Sequence, residues 1–299
     1  MATAEHGDLL SQGGANLRRR RRVDRIMRGS AVAAALVAVA ILVIVVASVA
    51  IKGASQLSIS FLVKDPVQTL QGVGGGIANA IVGSAVVVAF AAAMALPFGV
   101  LVAIYLTEFS NHSTARAIRL VLDLLNGMPS IVIAVFCYGL IVESEGHQSG
   151  FAASIALAII MIPLIARTTS EMLTLVPRDL RDASYALGIS RWRTIIGIVL
   201  PSALGGILTG AVLAIARAAG ETAPMLLLSS VYGNNTTVSI FSGAVPNIPF
   251  DIYQDSESAV PALHAVAWGA ALVLVVIILA GNLGARTMLA RQRRKMTAR

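Results

Sequence analysis

Six long apolar stretches separated by short polar ones set the layout of this chain, at about residues 31–51, 79–106, 118–142, 151–173, 194–228 and 263–283. Each meets the ~20 residues that a helix needs to cross a bilayer, so the pattern predicts an all-α polytopic membrane protein with six transmembrane helices. The first stretch ends in Ser48-Val49-Ala50, which looks like a signal-peptide cleavage site. Its apolar run exceeds the ~7–15 residues of a signal core and spans ~31 Å as a helix, so it reads as an anchor. The fifth stretch would reach ~52 Å against a hydrocarbon core of ~30 Å. Part of it must lie outside the core or be broken near Gly220 and Pro224. Residues 1–16 are polar and small without periodicity, which predicts disorder. The glycine cluster from Gly72 to Gly76 reads as a flexible interfacial lead-in to the second stretch, which also contains Pro97.

Between the fourth and fifth stretches lies a polar island, residues 174–193. Pro177 suits the first turn of a helix and Gly188 the left-handed residue that closes one. Leu180, Ala183 and Leu187 recur at helical spacing, while Arg178, Asp179, Arg181 and Asp182 take the other face. The prediction is a short amphipathic helix beside the membrane, which by itself fits a helix lying on lipid headgroups.

Composition agrees with the membrane class: 57% of the 299 residues are hydrophobic and 13% charged, and the mean hydropathy is +0.81. A net charge of +8 raises nucleic acid as a partner. The basic residues sit at the ends of apolar segments, however, so the membrane accounts for them and no nucleic acid is expected. They also orient the chain. With a cytoplasmic N-terminus, 19 of the 23 Lys and Arg fall inside, Lys52 and Lys64 fall outside, and Arg167 and Arg217 lie within spans. Both ends are therefore predicted to be cytoplasmic. The layout is a basic tail over residues 1–30, a six-helix transmembrane domain over 31–285 and a second basic tail over 286–299. Cys137 is the single cysteine, so no intrachain disulfide forms, and no Cys/His cluster has metal-ligand spacing. None of the three lysines, Lys52, Lys64 and Lys295, lies in a phosphate-binding G-x-x-x-x-G-K-[ST] loop. The chain is not expected to hydrolyse ATP or to be an enzyme.

The candidate chemistry lies in the charges inside the spans. An arginine near the bilayer centre costs ~2.5–3.5 kcal/mol, so each calls for a partner or a water-filled path. Arg217 stands four residues before Glu221, on one helix face, which a self-neutralising pair would explain. Arg167 has Glu171 one turn on and the hydroxyls of Thr168, Thr169 and Ser170 beside it. Those hydroxyls suit an oxyanion or plain backbone bonding. Asp123, Asn126 and Ser130 add a polar stripe to the third stretch that helix-to-helix hydrogen bonds would also account for. Two guanidiniums in one bundle point to an anionic cargo, because their planar forks match tetrahedral oxyanions. An ionised Glu221 ranks hydrogen phosphate above sulfate, since only the former carries a P–OH to donate.

Asp182-Ala183-Ser184, then Gly188, then Ile198-x-Leu200-Pro201 resembles the cytoplasmic EAA loop of ABC importer permeases, with Asp for Glu and Ser for the second Ala. The segments ARAAGETAP at 216–224, NGMPSIV at 126–132 and GGGIANAIVGS at 74–84 sharpen this. Together they resemble the PstA-type permease subunit of bacterial phosphate ABC importers. The resemblance implies a type I ABC importer permease (MetI-like) fold whose coupling helix contacts a separate ATPase through Asp182, Ala183, Ser184, Leu187 and Gly188. It implies a PstC-like second permease, a PstB-like ATPase dimer that binds the ATP and Mg, a PstS-like extracytoplasmic phosphate-binding protein, and inorganic phosphate as cargo. It places Arg217, Glu221 and Thr222 of the motif, and more loosely Arg167, on the substrate pathway. No cofactor is expected in this chain, and the expected location is the cell membrane. The alternatives are a permease for sulfate or molybdate, an ion-coupled secondary transporter using Asp123 or Glu221 as proton carrier, and a non-transporting scaffold or sensor.

Overall fold

A computed structural model of the chain describes residues 3–69, 72–232 and 239–297. Met1–Lys52 and Gly53–Arg299 form two separate units. The first is essentially one helix, α1 (Thr3–Gly53). The disorder expected for residues 1–16 is replaced from Thr3 onward by helix. The physical reason is the absence of any proline before Pro66: a helix nucleated in the apolar run propagates backward at the cost of one residue at a time. Its apolar side chains, Leu36 and Ile44 among them, are exposed.

The second unit opens with a short helix α2 (Ile59–Val63) and two strands, β1 (Pro66–Thr69) and β2 (Gly72–Gly75). The strands pair antiparallel, with Val67 opposite Gly74. The glycine cluster thus forms a paired strand over Gly72–Gly75 and not the flexible lead-in expected. Backbone bonds from Gly76 N–H to Asp65 O (3.2 Å) and from Ile77 N–H to Phe61 O (2.8 Å) tie its end to α2.

The crossing helices follow. Helix α3 (Ala78–Phe109) contains Pro97 and ends in a widened turn, Tyr105–Phe109, closed by Ser110 N–H on Tyr105 O at 2.8 Å. The third apolar stretch, expected as one span, is two helices, α4 (His112–Gly127) and α5 (Ser130–Glu145), bent by 98°. Pro129 is the cause: it has no N–H to donate, and it forces Met128 into extended backbone (φ −71°, ψ 138°). Helix α6 (Gly150–Thr174) is the hub of the unit, with Leu157, Met161 and Ile165 fully buried.

The amphipathic helix appears as α7 (Arg178–Ala186), and Gly188 after it has φ +75° as the sequence predicts. Helix α8 (Arg191–Ala219) then stops at Gly220, and α9 (Ala223–Leu228) starts afresh, which is the break expected in the over-long fifth stretch. Helix α8 approaches α6 so closely that a Cβ at Gly206 would strike Met172, and one at Gly210 would strike Thr168. Small residues at such crossings let helices pack without an aqueous hydrophobic effect to drive them.

Helix α10 (Ile248–Ser256) is capped by Asn247, whose Oδ1 accepts from Phe250 N–H at 2.9 Å, and Ser84 on α3 accepts from Ile248 N–H at 2.9 Å. The chain ends in α11 (Pro261–Thr297). Among the described residues five helices are long and apolar enough to cross a membrane, or six if the bent pair α4–α5 is one span. This is a multi-pass membrane protein.

Candidate functional site

Arg217 sits in the last turn of α8, two residues before the helix closes. Gly220 and Glu221 donate back to Arg217 O (3.0 Å) and Ala218 O (3.1 Å), so the chain turns sharply and brings Glu221 beneath the guanidinium. The Arg217 Nε to Glu221 Oε1 distance is 3.6 Å, an ion pair without a good hydrogen bond. The stronger contact lies elsewhere: Arg217 Nη1 donates to Asn126 Oδ1 at 3.1 Å. Two segments 91 residues apart, the NGMPSIV bend and the ARAAGETAP turn, are thereby joined. The Arg217 side chain remains 44% exposed and Glu221 17%, so the guanidinium keeps donors free for a ligand. Thr222, at the start of α9, is exposed on the same turn.

Arg167 lies on α6, exposed, with Nε donating to Glu171 Oε1 at 3.2 Å. It lines a cavity of about 350 Å³ together with Arg119, Asp123, Asn126, Ser170 and Glu171. Asn126 is common to this cavity and to the Arg217 contact, so one side chain links the cavity that Arg167 lines to Arg217, which itself does not line it. The hydroxyls beside Arg167 divide: Thr168 donates to Leu164 O at 2.9 Å, whereas Thr169 Oγ1 and Ser170 Oγ are buried without a protein partner. Ser170 is therefore the hydroxyl of the three that both borders the cavity and has bonding capacity left.

The elbow formed by α7 and the start of α8 divides its residues between two faces. Asp182, Ala183, Leu187 and Gly188 are exposed, Leu187 at 80%. An apolar side chain so exposed on a polar helix suits a protein partner. Ser184 is buried instead, its Oγ 2.8 Å from Thr194 Oγ1, and so it holds the elbow together from within.

Sequence reasoning missed two features. Arg181 and Glu108 form a largely buried ion pair at 3.0 Å across 73 residues, for which no local pattern exists. On α10, between the last two crossing helices, Asp251 and Asp255 stand one turn apart and buried. Burial and the neighbouring Asp255 push the Asp251 carboxyl up to about 8. Burial pushes Asp255 up to about 6, opposed by a hydrogen bond with Tyr232. Their four-residue spacing is visible in the sequence, but their burial is not. No group of three or more metal-ligating side chains occurs among the described residues.

Residues 95–297 match the family described as binding-protein-dependent transport system inner membrane component. The chain is 41% identical over 212 residues to the phosphate transport system permease protein PstA 1 of Mycobacterium tuberculosis, covering 71% of this chain and 69% of that one. It is 40% identical to the phosphate transport system permease protein PstA of Yersinia pestis, over 74% of each chain. The PstA of Pasteurella multocida is also 40% identical, with 79% of this chain and 83% of that one aligned. Among solved structures, the MetNI methionine ABC transporter in an inward-facing conformation superposes with a TM-score of 0.56 at 20% identity over 72% of this chain and 94% of that one. A bacterial ABC transporter for import of the acidic polysaccharide alginate superposes with a TM-score of 0.55 at 15% identity, covering 75% and 80%. At these identities the structures speak for the fold, a MetI-type importer permease. With sequence and fold in agreement, the chain belongs to the family of binding-protein-dependent transport system inner membrane components, and groups there with the PstA permeases.

Proposed function

We propose that this chain is the PstA-type permease subunit of an ATP-driven phosphate importer, forming part of the anion path and coupling it to a separate ATPase. The observation that carries this reading is the placement of Arg217 between Glu221 and Asn126, on the two segments that resemble PstA permeases, with its side chain 44% exposed. A fork of N–H donors in a partly dry site suits hydrogen phosphate. The Glu221 carboxylate accepts the P–OH that sulfate lacks, which favours phosphate within the oxyanions.

The mechanism is alternating access. A PstS-like binding protein delivers phosphate outside, and a PstC-like permease completes the path. Nucleotide and Mg bind to a PstB-like ATPase dimer that receives the exposed face of α7 on the cytoplasmic side. This chain needs no cofactor of its own and forms no covalent intermediate. Both termini and α7 are cytoplasmic in this arrangement, in keeping with the skew of basic residues. Purification from native membrane tests the assignment. An ATPase and a second polytopic permease should accompany the chain, and isolation of this chain alone, still able to transport phosphate, would overturn it.

A further inference from the structure

The inner end of α3 is gripped by the elbow at two points. From α7, Arg181 Nη2 bonds Glu108 Oε1 in the widened last turn of α3 at 3.0 Å. The same guanidinium donates to Leu173 O at 2.8 Å, in the last turn of α6, and to Val176 O at 2.7 Å, two residues past it. From the start of α8, Arg191 stacks over the Phe109 ring with 4.7 Å to its centroid, and Trp192 packs against that ring at 6.4 Å. Ser184 and Thr194 close the elbow behind these contacts.

Three features set Arg181 apart from an ordinary surface arginine. Its side chain is 15% exposed and that of Glu108 7%, so the pair is shielded from water and poorly screened. Removing either partner alone would strand a buried charge. The guanidinium is a planar fork, and here its donors are shared among a carboxylate on α3, the Leu173 carbonyl in the last turn of α6 and the Val176 carbonyl just past it, a helix C-terminus that favours a cation. Helix α6 also carries Arg167, within two turns of Leu173. One side chain on α7 thus holds the ends of two crossing helices, one of which bears a candidate pathway residue. An apolar contact would fasten these ends as well as a buried ion pair does. What the forked, directional bonds add is that α7 cannot slide without taking both ends with it.

We propose that the Arg181–Glu108 bridge is the link through which displacement of α7 passes to α3 and α6, so that it sets how much phosphate moves per nucleotide consumed. The proposal rests on the importer assignment above. Arg181 and Glu108 act here as positioning residues, since neither lies on the cavity that Arg167 lines.

The test uses the whole importer complex in liposomes, reading radiolabelled inorganic phosphate taken up per ATP hydrolysed. The decisive variant is the double substitution Glu108→Gln/Arg181→Gln, which leaves no stranded charge. It should assemble with the ATPase and hydrolyse nucleotide, yet its phosphate-to-ATP ratio should fall by about fivefold or more. The charge-keeping Arg181→Lys retains the ion pair but cannot span the carboxylate and both carbonyls, and should lie between the two. A double variant whose ratio equals that of the unaltered complex overturns the proposal. So does one that loses assembly while Arg181→Lys assembles with a normal ratio, because the bridge would then be a structural staple only. If the unaltered complex shows no ATP-dependent phosphate uptake, the importer assignment itself fails. If it couples and the double variant couples equally, the bridge alone does.

Discussion

Arg217 is held by two neighbours of different kinds, an acid at 3.6 Å and an amide oxygen at 3.1 Å. The acid was legible in the sequence, because a four-residue spacing on a helix puts two heads on one face. The amide was not, since nothing local links residues 126 and 217. Arg217→Gln should lower phosphate uptake by roughly 10- to 100-fold, the worth of a charge-assisted hydrogen bond to the substrate, with protein levels in the membrane unchanged. Arg217→Lys should restore little, because a single ammonium cannot serve Asn126 and an oxyanion together. Glu221→Gln should leave sulfate excluded less well than before, as read by sulfate competition against labelled phosphate; unchanged uptake and preference would remove its role in reading the proton. A second residue-scale expectation concerns Asp251 and Asp255, whose carboxyls are raised to about 8 and about 6. Between the ordinary carboxylate value and these, the folded protein binds more protons than the unfolded chain, so stability falls as pH rises. The packing of α10 should therefore loosen between about pH 4 and pH 8 in amide hydrogen exchange. Asp251→Asn should flatten that slope; an unaltered slope would mean that the carboxyl is not titrating in place.

At the scale of elements, what the sequence displayed best was whatever carries local punctuation. Pro177 and Gly188 bracket α7 as expected, and the stop at Gly220 splits the fifth stretch where its excess length required. Where an apolar run continued through its punctuation, the sequence misled. Pro129 lies inside NGMPSIV, between two apolar segments long enough together for one crossing, and only the backbone reveals a bend of 98°. Likewise Gly72–Gly75 lacks the alternating apolar side chains that advertise a strand, and pairs with β1 through backbone alone. Gly188 offers an element-scale test. At φ +75° a branched side chain meets its own backbone, so Gly188→Val should cost about 1–2 kcal/mol and misalign the elbow. The expected readout is weaker retention of the ATPase on the purified permease; full retention would show that the turn tolerates another path. Gly210→Leu should be more severe, since the intruding side chain would meet Thr168 across the α6–α8 crossing, and little protein should reach the membrane.

For the molecule as a whole, hydropathy and basic residues were enough to foresee a multi-pass membrane protein, because a bilayer leaves a helix few other ways to satisfy its backbone. They could not foresee how the ends of α3 and α6 meet the elbow, because Arg181 and Glu108 look individually like surface charges. Orientation is testable by labelling. Cys137 is buried, so Leu187→Cys provides one accessible thiol at a site 80% exposed. It should react with a membrane-impermeant maleimide in inside-out vesicles and stay unlabelled in intact cells. The reverse pattern would put α7 outside and remove the ATPase from its reach. The central claim, that a nucleotide-driven motor on the α7 side moves phosphate through this chain and its partner, is met most directly by phosphate accumulation in liposomes holding the purified complex. Accumulation should require hydrolysable ATP on the α7 side and the binding protein on the other, and should persist when ion gradients are collapsed. Phosphate entering without nucleotide, and halting when the proton gradient is abolished, would contradict it.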